Sequence, residues 1–123
     1  MNIIGEKVTD FAGKITSVTA TEAGLVVNVE NESGSFGNVL YTVTFGPSIV
    51  TEEETGAHTI RGVAFAPEGG TVEFSGAGVW YSSGPNKRVL KHITQLANGQ
   101  RTFAVDNFDL VKNTAYGVVY ALD

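Results

Sequence analysis

The chain has 123 residues, of which 13 are acidic and 8 basic, and its formal net charge at pH 7 is −5. This length suits a single domain over residues 1–123, and the acidic balance excludes the basic face that a nucleic-acid-binding protein needs. The absence of cysteine excludes disulfides and thiolate metal sites. No apolar stretch is long enough for a membrane helix, and the N-terminus lacks the pattern of a secretion signal, so we expect a cytoplasmic protein.

The first ten residues fit either a short helix or an irregular arm. Beyond them the chain shows no helical spacing of apolar residues, while glycine, valine and threonine are abundant, as in β proteins. The pattern predicts eight strands: Lys14–Thr21, Leu25–Glu30, Asn38–Phe45, His58–Ala66, Thr71–Tyr81, Lys87–Leu96, Arg101–Phe108 and Thr114–Leu122.

Most connections are too short for crossover helices, so neighbouring strands must pair antiparallel. Eight such strands predict an all-β fold, an eight-stranded antiparallel up-and-down β-barrel, which removes exposed sheet edges. A two-sheet sandwich is the competing architecture. Glycines inside the strands favour the barrel, because glycine permits the bends that closure requires. The one long connection, residues 46–57, could be a lid or a simple loop.

Hairpin turns predict which side chains face inward. Asn98-Gly99 is the typical pair for a type I′ turn, and closing it with Ala97 opposite Gln100 places Lys91 against Asp106. An opposite-charge pair belongs in water, so these two would face outward. By the same reasoning, the Glu68-Gly69 turn places Gly76 opposite Arg61, and the Ser82–Asn86 loop places Gly76 opposite His92. His58 then falls on the outer face. A slip of one residue in any hairpin would invert the strands beyond it.

Arg61 and His92 are the candidate catalytic pair. Their backbones would lie about 10 Å apart across Gly76, two strand spacings. An arginine inside a barrel without an acidic partner invites an anionic ligand group, and His92 could move a proton. The alternative is that Arg61 reaches the barrel mouth or pairs with an acidic side chain, while His92 is a hydrogen-bonded wall residue.

The remaining predicted inner residues are candidate ligand contacts. Trp80 and Arg88 could form a cation–π lid at one rim or simply plug that end. The tyrosines would offer hydroxyl groups, although barrel tyrosines commonly belong to the core. The candidate set is Trp80, Arg88, Tyr41, Phe74, Leu90, Phe103, Asn107, Tyr116 and Tyr120. The chain has only two histidines, His58 and His92, so we expect no metal site. Gly76-x-Gly78 is not followed by a predicted helix and is therefore not a phosphate-binding loop, so we expect no cofactor.

The segments Gly76-Ala-Gly-Val-Trp80, Lys91 to Gln100 and Asp109-Leu110 resemble those of small uncharacterised bacterial barrel proteins, similar in outline to allene oxide cyclase-like and calycin-type barrels. The likeness covers the C-terminal half and lies in hairpins, glycine placement and a tryptophan. It implies a barrel whose cavity could confine a reactive substrate, and no catalytic residue of those families matches a position here.

Three functions remain open at this stage. The first is a binding module for a small apolar or amphipathic molecule with an anionic or hydroxyl group. The second is a cofactor-free cyclase or isomerase that acts by confining its substrate. The third is a packed barrel that acts through protein partners. Outer-face aliphatics at Val79, Val89 and Ile93 also predict a homodimer, and we expect neither nucleic acid nor membrane as a partner.

Overall fold

The protein, described here from a computed structural model, is a closed eight-stranded barrel. The structure describes residues 4–46 and 54–122, so most of the predicted 46–57 connection lies outside the described residues. Each strand pairs antiparallel with the next, and the eighth pairs with the first. The strands are β1 Ile4–Thr21, β2 Gly24–Glu32, β3 Asn38–Phe45, β4 Thr55–Phe65, β5 Thr71–Gly84, β6 Lys87–Leu96, β7 Arg101–Asp109 and β8 Thr114–Leu122, with a 3₁₀ turn at Gly34–Phe36.

The predicted all-β barrel is confirmed, and the N-terminal segment is the main difference in its elements. Residues from Ile4 onward form neither a helix nor an arm but extend β1, which pairs with β8 from Ile4 opposite Leu122 to Lys14 opposite Thr114. This pairing closes the sheet and removes its last free edge. Among the described residues no helix is long and apolar enough to cross a membrane.

Two hairpin loops adopt a different turn from the predicted one. At the β6–β7 connection, Leu96 and Gln100 close a three-residue loop, with the Gly99 N–H donating to the Leu96 carbonyl. The β4–β5 loop repeats this arrangement between Ala66 and Gly70. Each is a type I turn followed by a glycine in the left-handed region, Gly99 at φ 91° and Gly69 at φ 92°. The loop therefore holds one residue more than a type I′ turn.

This extra loop residue shifts the register of two hairpins by one. Leu90, rather than Lys91, lies opposite Asp106, and Ser75, rather than Gly76, lies opposite Arg61. Because side chains alternate along a strand, β4 and β7 present the opposite face from the one predicted, and β8 is inverted as well. The predictions that the following residues point inward are wrong: Arg61, Phe103, Asn107, Tyr116 and Tyr120.

The β5–β6 hairpin keeps its predicted faces although its register also differs. Trp80 lies opposite Leu90 instead of Arg88, a shift of two residues that includes an irregularity between Ser82 and Gly84. A shift of two leaves every side chain on its original face. Trp80, Leu90 and His92 are accordingly buried, while Lys91 is exposed.

The barrel has two ends with different contents. The tryptophan end, which carries the connections at residues 22–23, 85–86 and 110–113, is filled by aromatic and aliphatic side chains. There the Phe45 ring packs edge-on against Trp80 and Phe108, with ring centroids 5.8 and 5.9 Å apart. The cavity end carries the turns at residues 33–37, 66–70 and 97–100 and is less completely packed.

The outer face of β5 to β8 is rich in apolar side chains. Val79 and Ile93 are exposed as expected, with 58% and 50% of their surface accessible. Val89 also lies on this side but is 8% exposed, so its predicted exposure is wrong; it is flanked across the strands by Tyr81 and Asn107. Association of two chains through this face stays a prediction.

Replacing Gly99 with alanine should destabilise the fold by about 1 kcal/mol, and Gly99→Asn by about half of that, because asparagine tolerates positive φ better. No atom lies within 4 Å of a Cβ placed at Gly99, so the effect would arise from the backbone conformation alone. Urea unfolding measures both free energies, with Gln100→Ala as the control. Equal stability of Gly99→Ala and the parent chain would contradict the assigned turn.

Candidate functional site

A pair of histidines bridges the inner surface of β5. His58 on β4 and His92 on β6 both lie opposite Gly78, and His58 Nε2 is 3.1 Å from His92 Nδ1. Both side chains are buried, 2% and 3% exposed. A Cβ at Gly78 would overlap the Lys91 carbonyl oxygen and the Cα of His92, so glycine leaves the space in which the two rings meet.

The two imidazoles are neutral at physiological pH. Burial lowers the pKa of His58 to about 4, and burial together with the nearby His58 lowers the pKa of His92 to about 3. One ring therefore donates the shared hydrogen bond and the other accepts it. Among the described residues His58 Nδ1 has no hydrogen-bond partner, and no three potential metal-ligand side chains cluster.

A second polar pair spans the barrel. The Tyr41 hydroxyl on β3 donates to Asp106 Oδ2 on β7 over 2.6 Å, joining strands on opposite sides of the interior. Asp106 is 1% exposed, and within the described part of the chain its Oδ1 has no partner. Burial raises the pKa of Asp106 to about 7, although the hydrogen bond from Tyr41 acts in the opposite direction. Burial also raises the pKa of Tyr41, with the charge of Asp106 adding to the effect.

Tyr41, His92 and Asp106 border an interior cavity of about 70 Å³, which gives the cavity end of the barrel its name. Its wall is largely apolar and includes three phenylalanines, while Tyr41, His92 and Asp106 contribute polar atoms. Two further buried pairs complete the polar lining: the hydroxyls of Thr94 and Thr102 share a hydrogen bond, and Ser33 Oγ donates to Asn31 Oδ1. The lining residues are Phe11, Asn31, Ser33, Phe36, Val39, Tyr41, Ile60, Ala64, Phe74, His92, Thr94, Leu96, Thr102, Ala104, Asp106 and Val119.

Three of the predicted site residues come together in this cavity: Tyr41, Phe74 and His92. Leu90 is buried in the core but does not line the cavity. Phe103 and Tyr120 contact each other on the outer face, with ring centroids 6.4 Å apart. On the same side Asn107 donates to the Tyr116 carbonyl, and Tyr116 is exposed.

Trp80 and Arg88 form the predicted cation–π contact, but they do so at the tryptophan end. The Arg88 guanidinium carbon lies 3.9 Å from the centroid of the Trp80 ring and 4.5 Å from that of Phe45. Burial lowers the pKa of Arg88. Neither residue lines the cavity, so a ligand role for this pair stays a prediction.

Arg61 borders a groove on the outer surface instead of the interior. This groove measures about 450 Å³ and also contains Asn28, Thr42 and Glu73. The Asn28 side chain already bonds to its neighbours, since it accepts from Thr42 and donates to Ser17. The interior cavity differs because its lining includes Asp106, whose buried Oδ1 has no partner in the part of the chain that the structure describes, and this is the stronger indication of a ligand site.

Sequence reasoning missed Asp106 and His58 because both were assigned to the outer face. The signal that could have found them is the three-residue reading of the loops at Ala97-Asn98-Gly99 and Pro67-Glu68-Gly69. That reading turns both Asp106 and His58 inward, while the contact of His58 with His92 also depends on the two-residue shift of the β5–β6 hairpin. Both loops contain the single glycine that a type I turn with a bulge requires.

Replacing Gly78 with alanine should destabilise the protein by about 3 kcal/mol, because the new methyl group has no space between β5 and β6. Gly5→Ala is the matched control, since the nearest atom to a Cβ there is the Ala121 carbonyl oxygen at 3.3 Å. Urea unfolding of both variants measures the difference. Similar losses for both would contradict the tight packing at Gly78.

The pH dependence of stability should differ between the parent chain and Asp106→Asn. Asp106 binds a proton more tightly folded than unfolded, so its contribution is fully present below about pH 4 and is lost as pH rises through about 7. The parent's stability relative to the variant should therefore fall by on the order of 3 kcal/mol between pH 4 and 8.

The two histidines act in the opposite direction, because their pKa values are lowered by folding and their contribution is lost as pH falls from about 6.5 through 4. They are present in both proteins and cancel in the difference. Urea unfolding at several pH values provides the measurement. Parallel pH profiles for the two proteins would show that Asp106 does not titrate as described.

Comparisons with known proteins do not indicate a function for this chain. No protein-family model matches the chain, and searches of curated proteins and of solved structures find no match. The resemblance to allene oxide cyclase-like and calycin-type barrels is thus supported only as far as the closed eight-stranded antiparallel barrel.

Proposed function

We propose that this barrel binds a small, largely apolar molecule with one hydrogen-bonding end in the cavity lined by Tyr41, His92 and Asp106. The observation that carries this proposal is the buried Asp106 carboxyl, whose Oδ1 has no partner among the described residues although the group lines a cavity. A buried polar atom left unpaired costs about 1–3 kcal/mol. A ligand that supplies the missing hydrogen bond would remove that cost.

The rest of the lining suits such a ligand. Phe11, Phe36 and Phe74 offer apolar surface, and the Tyr41 hydroxyl fixes the position of the Asp106 carboxyl through its 2.6 Å hydrogen bond. A few fixed polar groups in an apolar wall are what small-molecule sites commonly contain. His92 contributes a neutral ring that could donate or accept one further hydrogen bond.

The cavity limits the size of the bound group. A volume of about 70 Å³ corresponds to roughly five water molecules at 10–15 Å³ each, well below the 300–1,000 Å³ of drug-sized pockets. The enclosed part of the ligand would therefore have about five non-hydrogen atoms, and any longer portion would extend toward the turns of the cavity end.

An anionic end no longer has support. The expectation of an anionic ligand depended on an inward Arg61, and Arg61 lies on the outer face. The described lining contains neither lysine nor arginine, and it does contain a carboxyl group. An anion would lose hydration there without gaining a positive partner.

Titration with 1-butanol, which has five non-hydrogen atoms, tests the proposal. Amide and methyl NMR shifts should change at the cavity residues and saturate in the millimolar range. Ala64→Leu, which fills part of the cavity, should weaken binding at least tenfold. Ala77→Leu adds the same bulk to the exposed outer face and should leave binding unchanged. Absence of saturable shifts at the cavity, or equal weakening by both variants, would contradict the proposal.

A further inference from the structure

We propose that the polar end of the ligand is a protonated amine, which pairs with Asp106 and lies against the aromatic wall of the cavity. This inference rests on the proposed function and specifies the chemical class that the same cavity selects. It is carried by the charges of the lining, the position of its aromatic rings and the unpartnered carboxyl oxygen, each of which favours a cation over a neutral or anionic group.

The charges of the lining favour a cation. Asp106 is the single acidic side chain among the described lining residues, and that set includes neither lysine nor arginine, while His92 is neutral. The half-buried Arg88 lies instead at the tryptophan end, over the rings of Phe45 and Trp80. A carboxylate that is removed from water without an opposite charge is strongly destabilising. An ammonium group would provide that opposite charge.

The hydrogen bonds of the Asp106 carboxyl also favour a cation. Oδ2 accepts from Tyr41, whereas Oδ1 has no partner among the described residues. An ionised carboxylate only accepts hydrogen bonds, and an ammonium group only donates them. The pair is therefore complementary, and a charge-assisted bond of this kind is about twice as strong as one between neutral groups.

The aromatic wall of the cavity also suits a cation. Phe11, Phe36, Phe74 and Tyr41 line the same cavity as Asp106. The faces of such rings attract a cation by about 0.5–2 kcal/mol, with the larger values at sites removed from water. The methylene groups of an alkyl amine would meanwhile occupy the apolar part of the wall. The net charge of −5 on the chain also favours the approach of a cation.

A specific pH dependence follows from this pairing. Among the described residues, the titratable groups inside the barrel besides Asp106 are Tyr41 on β3, His58 on β4 and His92 on β6, together with the Arg88 guanidinium on β6. Tyr41 and both histidines are neutral at pH 7, and Arg88 remains charged throughout this range. Of these groups, Asp106 alone changes its charge near neutrality. Amine binding should therefore weaken about tenfold for each pH unit below 7, while alcohol binding stays nearly constant.

The experiment compares three probes of similar size, 1-butylamine, 1-butanol and butyrate, by NMR titration of the full chain at pH 8. We expect butylamine to bind at least tenfold more tightly than butanol and butyrate to bind most weakly. In Asp106→Asn, the preference for the amine over the alcohol should disappear. Glu73→Gln, which removes an exposed carboxylate from the outer face, should retain the preference and controls for the general charge of the surface.

The possible results separate this inference from the proposed function. If butanol binds in the cavity and butylamine binds no more tightly, the amine inference is overturned and the proposed function stands. If neither probe binds the parent chain, both are overturned. Butylamine binding that survives both Asp106→Asn and Ala64→Leu would indicate a surface site and would also overturn the inference. Should Asp106→Asn fail to fold, the pH dependence of butylamine binding to the parent chain decides the question.

Discussion

Two glycines in the left-handed region, Gly69 and Gly99, determine which side chains the barrel encloses. Each provides the one positive φ of a three-residue loop, and each loop fixes the register of the hairpin that it closes. In a closed barrel every strand is paired on both sides, so the register of one hairpin also determines which residues of the neighbouring strands face inward. The inward positions of Asp106 on β7 and His58 on β4 depend on these two turns.

The sequence was sufficient to predict the architecture but not all of its faces. Alternation and turn residues located the strands and their antiparallel order, since these depend on local properties. The face of β7 was not decided locally, because Phe103 and Val105 on one side are as apolar as Ala104 and Phe108 on the other. Asn98-Gly99 fits both a type I′ turn and a type I turn with a bulge, and the two differ by the one residue that inverts the strand.

The candidate site was predictable only in part for a related reason. Tyr41, Phe74 and His92 were found because their strands kept the predicted faces. The partner of Tyr41 lies 65 residues away on the opposite side of the barrel, and such a pairing depends on closure rather than on any short pattern. The expectation that Arg61 and His92 meet across Gly76 is wrong, because Arg61 lies on the outer face. The polar residues that meet across an inner glycine are His58 and His92, at Gly78.

The two ends of the barrel interior differ in how completely they are packed and in the polar groups that they bury. At the tryptophan end, aromatic rings and aliphatic side chains fill the space, as in cores that serve stability. At the cavity end, the Asp106 carboxyl group is buried with a raised pKa, and one of its oxygens has no partner within the described ranges. Replacing buried ionisable groups by well-packed apolar ones is often neutral or stabilising, so Asp106 contributes little to stability that an apolar residue could not. We propose that its position beside Tyr41, His92 and the phenylalanines serves recognition of a ligand, and a positively charged ligand would offset the buried negative charge.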